Sequence, residues 1–208
     1  MPYHPRRAPR RKTLHRRWRT SYITNSARGA VLARDGGYPW IDNDFHLTGG
    51  GEDWGNDHGA PSRFWFAKGD RMEKHTSAEV FAMRKTVNGR VHHIRTLRET
   101  LEDNHHQGRN TEIEVKDVRP WATAGILAAR FAEIADTARE VYGEHWRQHV
   151  AVKVLTDFGG GLRYALKICR FAHANGIPTI LLARGPARFK RFVGHEEITW
   201  VRGSVVIR

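Results

Sequence analysis

The sequence predicts an α/β fold built on parallel strands. Helical and strand-like stretches take turns along the chain, and the strand candidates are short and mostly β-branched or aromatic. No linker rich in Pro, Gly or Ser and no repeat interrupts that rhythm. A closed barrel and an open doubly wound sheet both satisfy it. The chain has no G-x-G-x-x-G after its first strand and no G-x-x-x-x-G-K-[ST] anywhere. Those are the commonest nucleotide signatures of open sheets, so their absence tilts the reading toward a barrel.

Each element has a local reason. Residues 26–35 (SARGAVLARD) predict a short helix stopped by Gly36-Gly37. Residues 40–47 (WIDNDFHL) alternate, with Trp40, Asp42, Asp44 and His46 on one side and Ile41, Asn43, Phe45 and Leu47 on the other. That is a strand with one polar face. SRFWFA (62–67) reads as a strand, 77–85 and 94–104 as helices, and TEIEVK (111–116) again as a strand. Residues 121–142 form the longest helix candidate, with Ala, Ile, Leu and Phe at helical spacing. VAVKVL (150–155) is a strand, and 161–174 is a helix with Asn175-Gly176 as its left-handed stop. PTILLA (178–183) is a strand, 187–192 a short helix, and 198–201 and 204–207 closing strands.

The 208 residues fit one domain with ample core, and seven Trp and nine Phe exclude global disorder. The net charge of +13 is uneven: residues 1–19 hold eight Arg and Lys and no acid, which leaves the rest at only +5. Residues 1–12 therefore read as a basic, loosely held arm, and 13–208 as a single barrel domain. Such an arm is a solvated tail or a contact for nucleic acid, an anionic polymer or an anionic lipid surface. Cys169 stands alone, which excludes an intrachain disulfide and a cysteine-rich zinc site. Apolar runs fall far short of the roughly 18 residues of a spanning helix. No apolar stretch follows the basic start, so the expected location is the cytoplasm.

The chemistry concentrates between Trp40 and Gly59, where five carboxylates and two histidines share twenty residues. Asp42 and Asp44, two apart in a strand, point the same way. Adjacent carboxylates repel unless a cation lies between them or they share a proton. Oxygen donors of this kind suit Mg²⁺ or Ca²⁺. In TEIEVK, Glu112, Glu114 and Lys116 share one face. Where strand ends meet, one of these glutamates can complete the set, and Lys116 can face a phosphate. Glu112 competes with Glu114 if the register shifts. Lys153 and Asp157, near a later strand end, line the pocket or stand at the core edge or the surface. His58 and His46 are candidates for proton transfer near neutral pH. His15-Arg16 places an imidazole beside a guanidinium, a pairing suited to phosphoryl groups.

These motifs resemble the glycerophosphodiester phosphodiesterase family. Members carry a His-Arg-Gly strand end, an Asn-containing helix start, an Ile-Glu-x-Asp strand, a His-Asp pair and a Glu-Ile-Lys strand. Here the matching residues are His15-Arg16, Thr24-Asn25-Ser26, Ile41-Asp42-Asn43-Asp44, His58 and Glu114-Val115-Lys116, densest over 13–116. The chain departs at Arg17 for glycine, Asp42 for glutamate, Thr24 for glutamate, and Gly59 for aspartate, with Asp57 before His58 instead.

The resemblance implies a TIM-type (β/α)₈ barrel, compact or with abbreviated helices. It implies hydrolysis of a glycerophosphodiester-like substrate through its own neighbouring hydroxyl. Carried over, Asp42, Asp44 and Glu114 hold one divalent cation, Mg²⁺ or Ca²⁺. His15 and His58 are the acid–base pair, and Arg16 and Lys116 bind phosphate. The partner expected is a small phosphodiester. Two rival readings are a nucleic-acid-binding protein or nuclease, from the basic arm, and a catalytically inactive barrel with a structural or adhesive role, from the departures.

Overall fold

The computed structural model describes residues 6–7, 13–14, 27–57, 65–67, 69–87, 89–116, 122–156, 161–184 and 195–204. Eleven strands are described. They are β1 (Arg6–Arg7), β2 (Thr13–Leu14), β3 (Trp40–Leu47), β4 (Trp54–Asn56), β5 (Lys85–Val87), β6 (Arg90–His92), β7 (Arg95–Thr96), β8 (Asn110–Val115), β9 (Val150–Leu155), β10 (Thr179–Arg184) and β11 (Trp200–Ser204). One sheet runs β1-β11-β10-β9-β8-β3-β4-β7, and β5-β6 form a separate hairpin. From β1 to β3 every pair is parallel; β4 and β7 add to the end antiparallel. The far edge of β3 is shared: β2 pairs at Trp40 and Ile41, and β4 at Phe45 to Leu47.

The α/β expectation therefore holds, with a mixed sheet. Among the described residues the path is open, since its end strands do not pair with each other. Two residues of the segment expected as a loose arm, Arg6 and Arg7, extend the sheet beside Trp200 and Val201.

Helices α1 (Ala27–Asp35), α2 (Ser77–Ala82), α3 (Leu97–His106), α4 (Ala124–Tyr142) and α5 (Gly161–Ala174) lie where the periodicity places them, with trimmed ends. Thr76 with Glu79 and Thr96 with Glu99 close capping boxes that start α2 and α3. In each, the threonine hydroxyl accepts an orphan N–H while the glutamate reaches back to the cap. Thr123 caps α4 through the Ile126 N–H. Gly176 ends α5 with φ +66°, the left-handed conformation glycine adopts without a Cβ clash.

The sheet separates two environments. Phe45, Leu47, Ile113, Val115, Val150, Val152, Val154 and Leu181 join one apolar cluster with the inner sides of α3, α4 and α5. On the opposite face Trp40, Ala151 and Ile180 form a smaller apolar group. Side chains on both faces of β3 are buried or half-buried, so its polar side chains are not the solvated face that alternation suggests.

Three other expectations need correction. Trp65 and Phe66 occupy a bend and Ala67 is irregular, so that part of SRFWFA is not a strand; residues 62–64 lie outside the described residues. These rings pack with Met72, Val80 and Ile94 in a satellite cluster, which satisfies their burial without sheet pairing. The helix expected over 77–85 stops at Ala82 because Lys85 enters the β5–β6 hairpin. Ile94 precedes α3 instead of opening it. The short helix at 187–192 and residues 205–207 lie outside the described residues.

Candidate functional site

The polar inner face of β3, β8 and β9 builds the site. Parallel register sets Asp42 opposite Glu112 and Asp44 opposite Glu114, and Glu114 in turn opposite Lys153. Because side chains alternate along a strand, all of these project to one side. Lys116 follows β8 on the same face. Its N–H donates to the Phe45 carbonyl at 3.0 Å, and its own carbonyl accepts from the Tyr164 hydroxyl of α5 at 3.0 Å.

The charged heads interlock. The Lys116 ammonium lies 2.5 Å from an Asp44 oxygen and also donates to Glu114. The Lys153 ammonium bridges Asp42 and Glu114. Asp42 and Glu114 therefore converge on one point from separate strands. Lys153 is 2% exposed, Glu112 0%, Glu114 3% and Asp44 6%, so this is an interior cluster. Burial alone would push the Lys153 ammonium down; Asp42, Glu114 and Glu112 outweigh it and hold it above its ordinary range.

Among the described residues, four carboxylates face two ammoniums here, a formal balance of −2. The donors are all hard oxygens, so the set suits Mg²⁺ or Ca²⁺. Among the described residues, no group of three or more His, Cys, Asp or Glu is already spaced around a point that a metal ion could take. The two ammonium groups occupy the space between the carboxylates. By chemistry the residues suit a divalent cation, and the same carboxylate oxygens are engaged by the two lysine ammoniums.

Of the residues singled out in the sequence, the structure brings together Asp42, Asp44, Glu112, Glu114, Lys116 and Lys153. It settles their register, placing Glu114 level with Asp44 and Glu112 one step deeper, level with Asp42. His15, Arg16, His58 and Asp157 lie outside the described residues. Leu14 pairs with Ile41, so β2 runs beside the site strand up to the residue before His15. Asp57, the residue before His58, is buried.

Two participants carry no strong sequence signal. Lys153 sits in an apolar strand, where the sequence leaves it open between the pocket and the core edge or surface; the structure buries it in the cluster. His46 shares the face of Asp42 and Asp44, and its Nδ1 lies 3.1 Å from Glu73 Oε1. Its Nε2 is buried with no hydrogen-bond partner among the described residues. Burial raises the Glu73 carboxyl, yet the His46 hydrogen bond and charge leave it below its usual range. Glu73 lies 27 residues along the chain, and nothing in its local pattern marks it.

No protein-family model and no curated protein matches the chain. Solved structures do. The chain is similar to an Oleispira antarctica phosphodiesterase in complex with the product sn-glycerol-3-phosphate. Identity is 18% and the TM-score 0.56, over 86% of this chain and 68% of that one. It shares the fold of that phosphodiesterase. A candidate glycerophosphoryl diester phosphodiesterase of Agrobacterium tumefaciens is 15% identical, with a TM-score of 0.55. The match covers 80% of this chain and 61% of the Agrobacterium chain, so it spans less than two thirds of that protein. Among the described residues, no helix is long and apolar enough to cross a membrane.

Proposed function

We propose that the chain is a phosphoric diester hydrolase that acts on a glycerophosphodiester-like substrate. The observation that carries this reading is the convergence of Asp42, Asp44, Glu114 and Lys116 on one inner face, in a fold shared with phosphodiesterases. The first three residues are the motif carboxylates of the sequence resemblance, and Lys116 is its motif lysine.

In this reading Asp42, Asp44 and Glu114 hold one Mg²⁺ or Ca²⁺. When bound, that ion supplies positive charge that stabilises the phosphate oxygens and the attacking hydroxyl. Lys116 moves its ammonium from Asp44 and Glu114 to a phosphate oxygen, and Arg16 grips another with its planar fork. The substrate hydroxyl next to the diester attacks phosphorus. One of His15 and His58 takes its proton, and the other protonates the departing alcohol oxygen. The resulting cyclic phosphate is opened by water with the two histidine roles reversed. Net, one water is added and one alcohol released.

The test is turnover of a glycerophosphodiester from about pH 6 to about pH 9, with Mg²⁺ or Ca²⁺ and with EDTA. Turnover abolished by EDTA and reduced at least about 100-fold in His58→Ala is the expected result. Rates equal to the no-enzyme control at every pH would leave a catalytically inactive relative of the fold.

A further inference from the structure

Lys153 has no counterpart in the motifs that support the proposed reaction, yet it holds the centre of the cluster. It is fully buried on a strand otherwise made of Val, Ala and Leu. Its ammonium reaches Asp42 on β3, across the whole width of β8, and Glu114 on β8. Glu112, beneath them, adds a further attraction. Ala151 and Ile180 pack with Trp40 on the same face, and Ile180 is the register partner of Lys153, so the stem has apolar neighbours while the head, among the described residues, meets Asp42 and Glu114. Lys116 differs: it stands at the strand end, is more exposed, and spans Asp44 and Glu114.

We infer that Lys153 is a built-in positioning cation, which gathers Asp42 and Glu114 and competes with a divalent ion for their oxygens, thereby setting how tightly the site takes metal. This rests on the reading of the cluster as a cation site. A resident ammonium keeps the carboxylates converged when no metal is bound, where mutual repulsion would otherwise drive them apart. The same positive charge weakens attraction for an incoming ion. A chain with Lys153 therefore binds metal more weakly, and depends on it less for folding, than one without.

The experiment titrates the metal alone, Ca²⁺ and then Mg²⁺, into the full chain by calorimetry, with thermal melts in EDTA and in saturating Ca²⁺. The proteins are the parent, Lys153→Met and Lys153→Arg. Removing one positive charge beside the ion predicts at least about tenfold tighter Ca²⁺ binding in Lys153→Met. Its melting temperature should fall in EDTA and recover in Ca²⁺. Lys153→Arg, which keeps the charge, should restore parent-like affinity. A purely structural lysine would lower stability equally in EDTA and Ca²⁺ and leave affinity unchanged, and that outcome overturns the inference.

Should Lys153→Met not fold in EDTA, the double variant Lys153→Met with Glu112→Gln keeps the formal charge at −2 and takes its place. A larger Ca²⁺-induced melting shift than the parent's supports the inference; an equal or smaller one overturns it. Hydrolysis is not read here. Metal titrations that behave as stated without diester turnover keep the role of Lys153 and remove the reaction. Turnover with no difference in affinity removes Lys153 alone.

Discussion

His149 shows how far a single side chain is set by its neighbours. Its Nδ1 donates to Asn110 Oδ1 at 2.8 Å, and its ring stacks on Tyr142 with centroids 5.2 Å apart. His105 meets the same Tyr142 ring edge-on at 4.8 Å. Tyr142 is tied down through hydrogen bonds to Thr111 and to the Arg109 carbonyl, and burial pushes its hydroxyl up to about 12. Burial, then the charges of His105 and His145, hold His149 below its ordinary 6.5. A histidine lowered in the folded state stays neutral there while the unfolded chain takes up a proton. Its contribution is thus full above about pH 6.5 and is lost as pH falls through that value toward the folded pKa. Melting temperature should decline from about pH 7.5 to about pH 5, and His149→Gln should flatten that decline. An unchanged slope in the variant would assign the effect to other groups. The alternation of Asp42 and Asp44 was legible at this scale, because period two is a property of any strand. The stacking of His149 on Tyr142 was not, because it joins residues from separate elements.

Among the elements, β3, β9 and α5 could be bounded from the sequence, since apolar pattern and stop residues agree there. The β5–β6 hairpin was missed although Asn88-Gly89 is a strong turn signal. Its strands are exposed and lack the apolar alternation that marks a packed one. The turn after β3 was equally hidden, and its geometry is tight. The Gly49 N–H donates to the His75 carbonyl at 2.6 Å, and a Cβ on Gly49 would stand 2.8 Å from that same oxygen. Backbone cannot yield as a flexible side-chain tip can. Gly49→Ala should therefore cost about 1–3 kcal/mol by forcing the segment carrying Glu73 away from the end of β3. Urea denaturation measures the loss; a midpoint equal to the parent's would mean that the contact relaxes freely.

For the molecule as a whole, α4 ties the antiparallel extension to the parallel sheet. Phe131 is fully buried, meets Trp54 of β4 edge-on at 6.1 Å and stacks near Phe171 of α5 at 6.1 Å. The Trp54 indole also donates to the Arg130 carbonyl at 3.1 Å. Phe131→Ala should lower unfolding free energy by about 3–5 kcal/mol, with the cavity opening between three elements. A loss below about 1 kcal/mol in urea titration would show that this core collapses to fill the space.

The sequence alone determined which side chains share a strand face, where most helices begin, and that acids gather where the net charge is positive. The strand faces and the helices follow from short-range geometry, two residues per strand repeat and about 3.6 per helical turn. Only the tertiary structure decided that Glu114 stands level with Asp44 and that Lys153 enters between Asp42 and Glu114. Strand register is fixed by the packing of whole elements onto a common core. A lysine 111 residues from its aspartate finds it only after β8 has come between them.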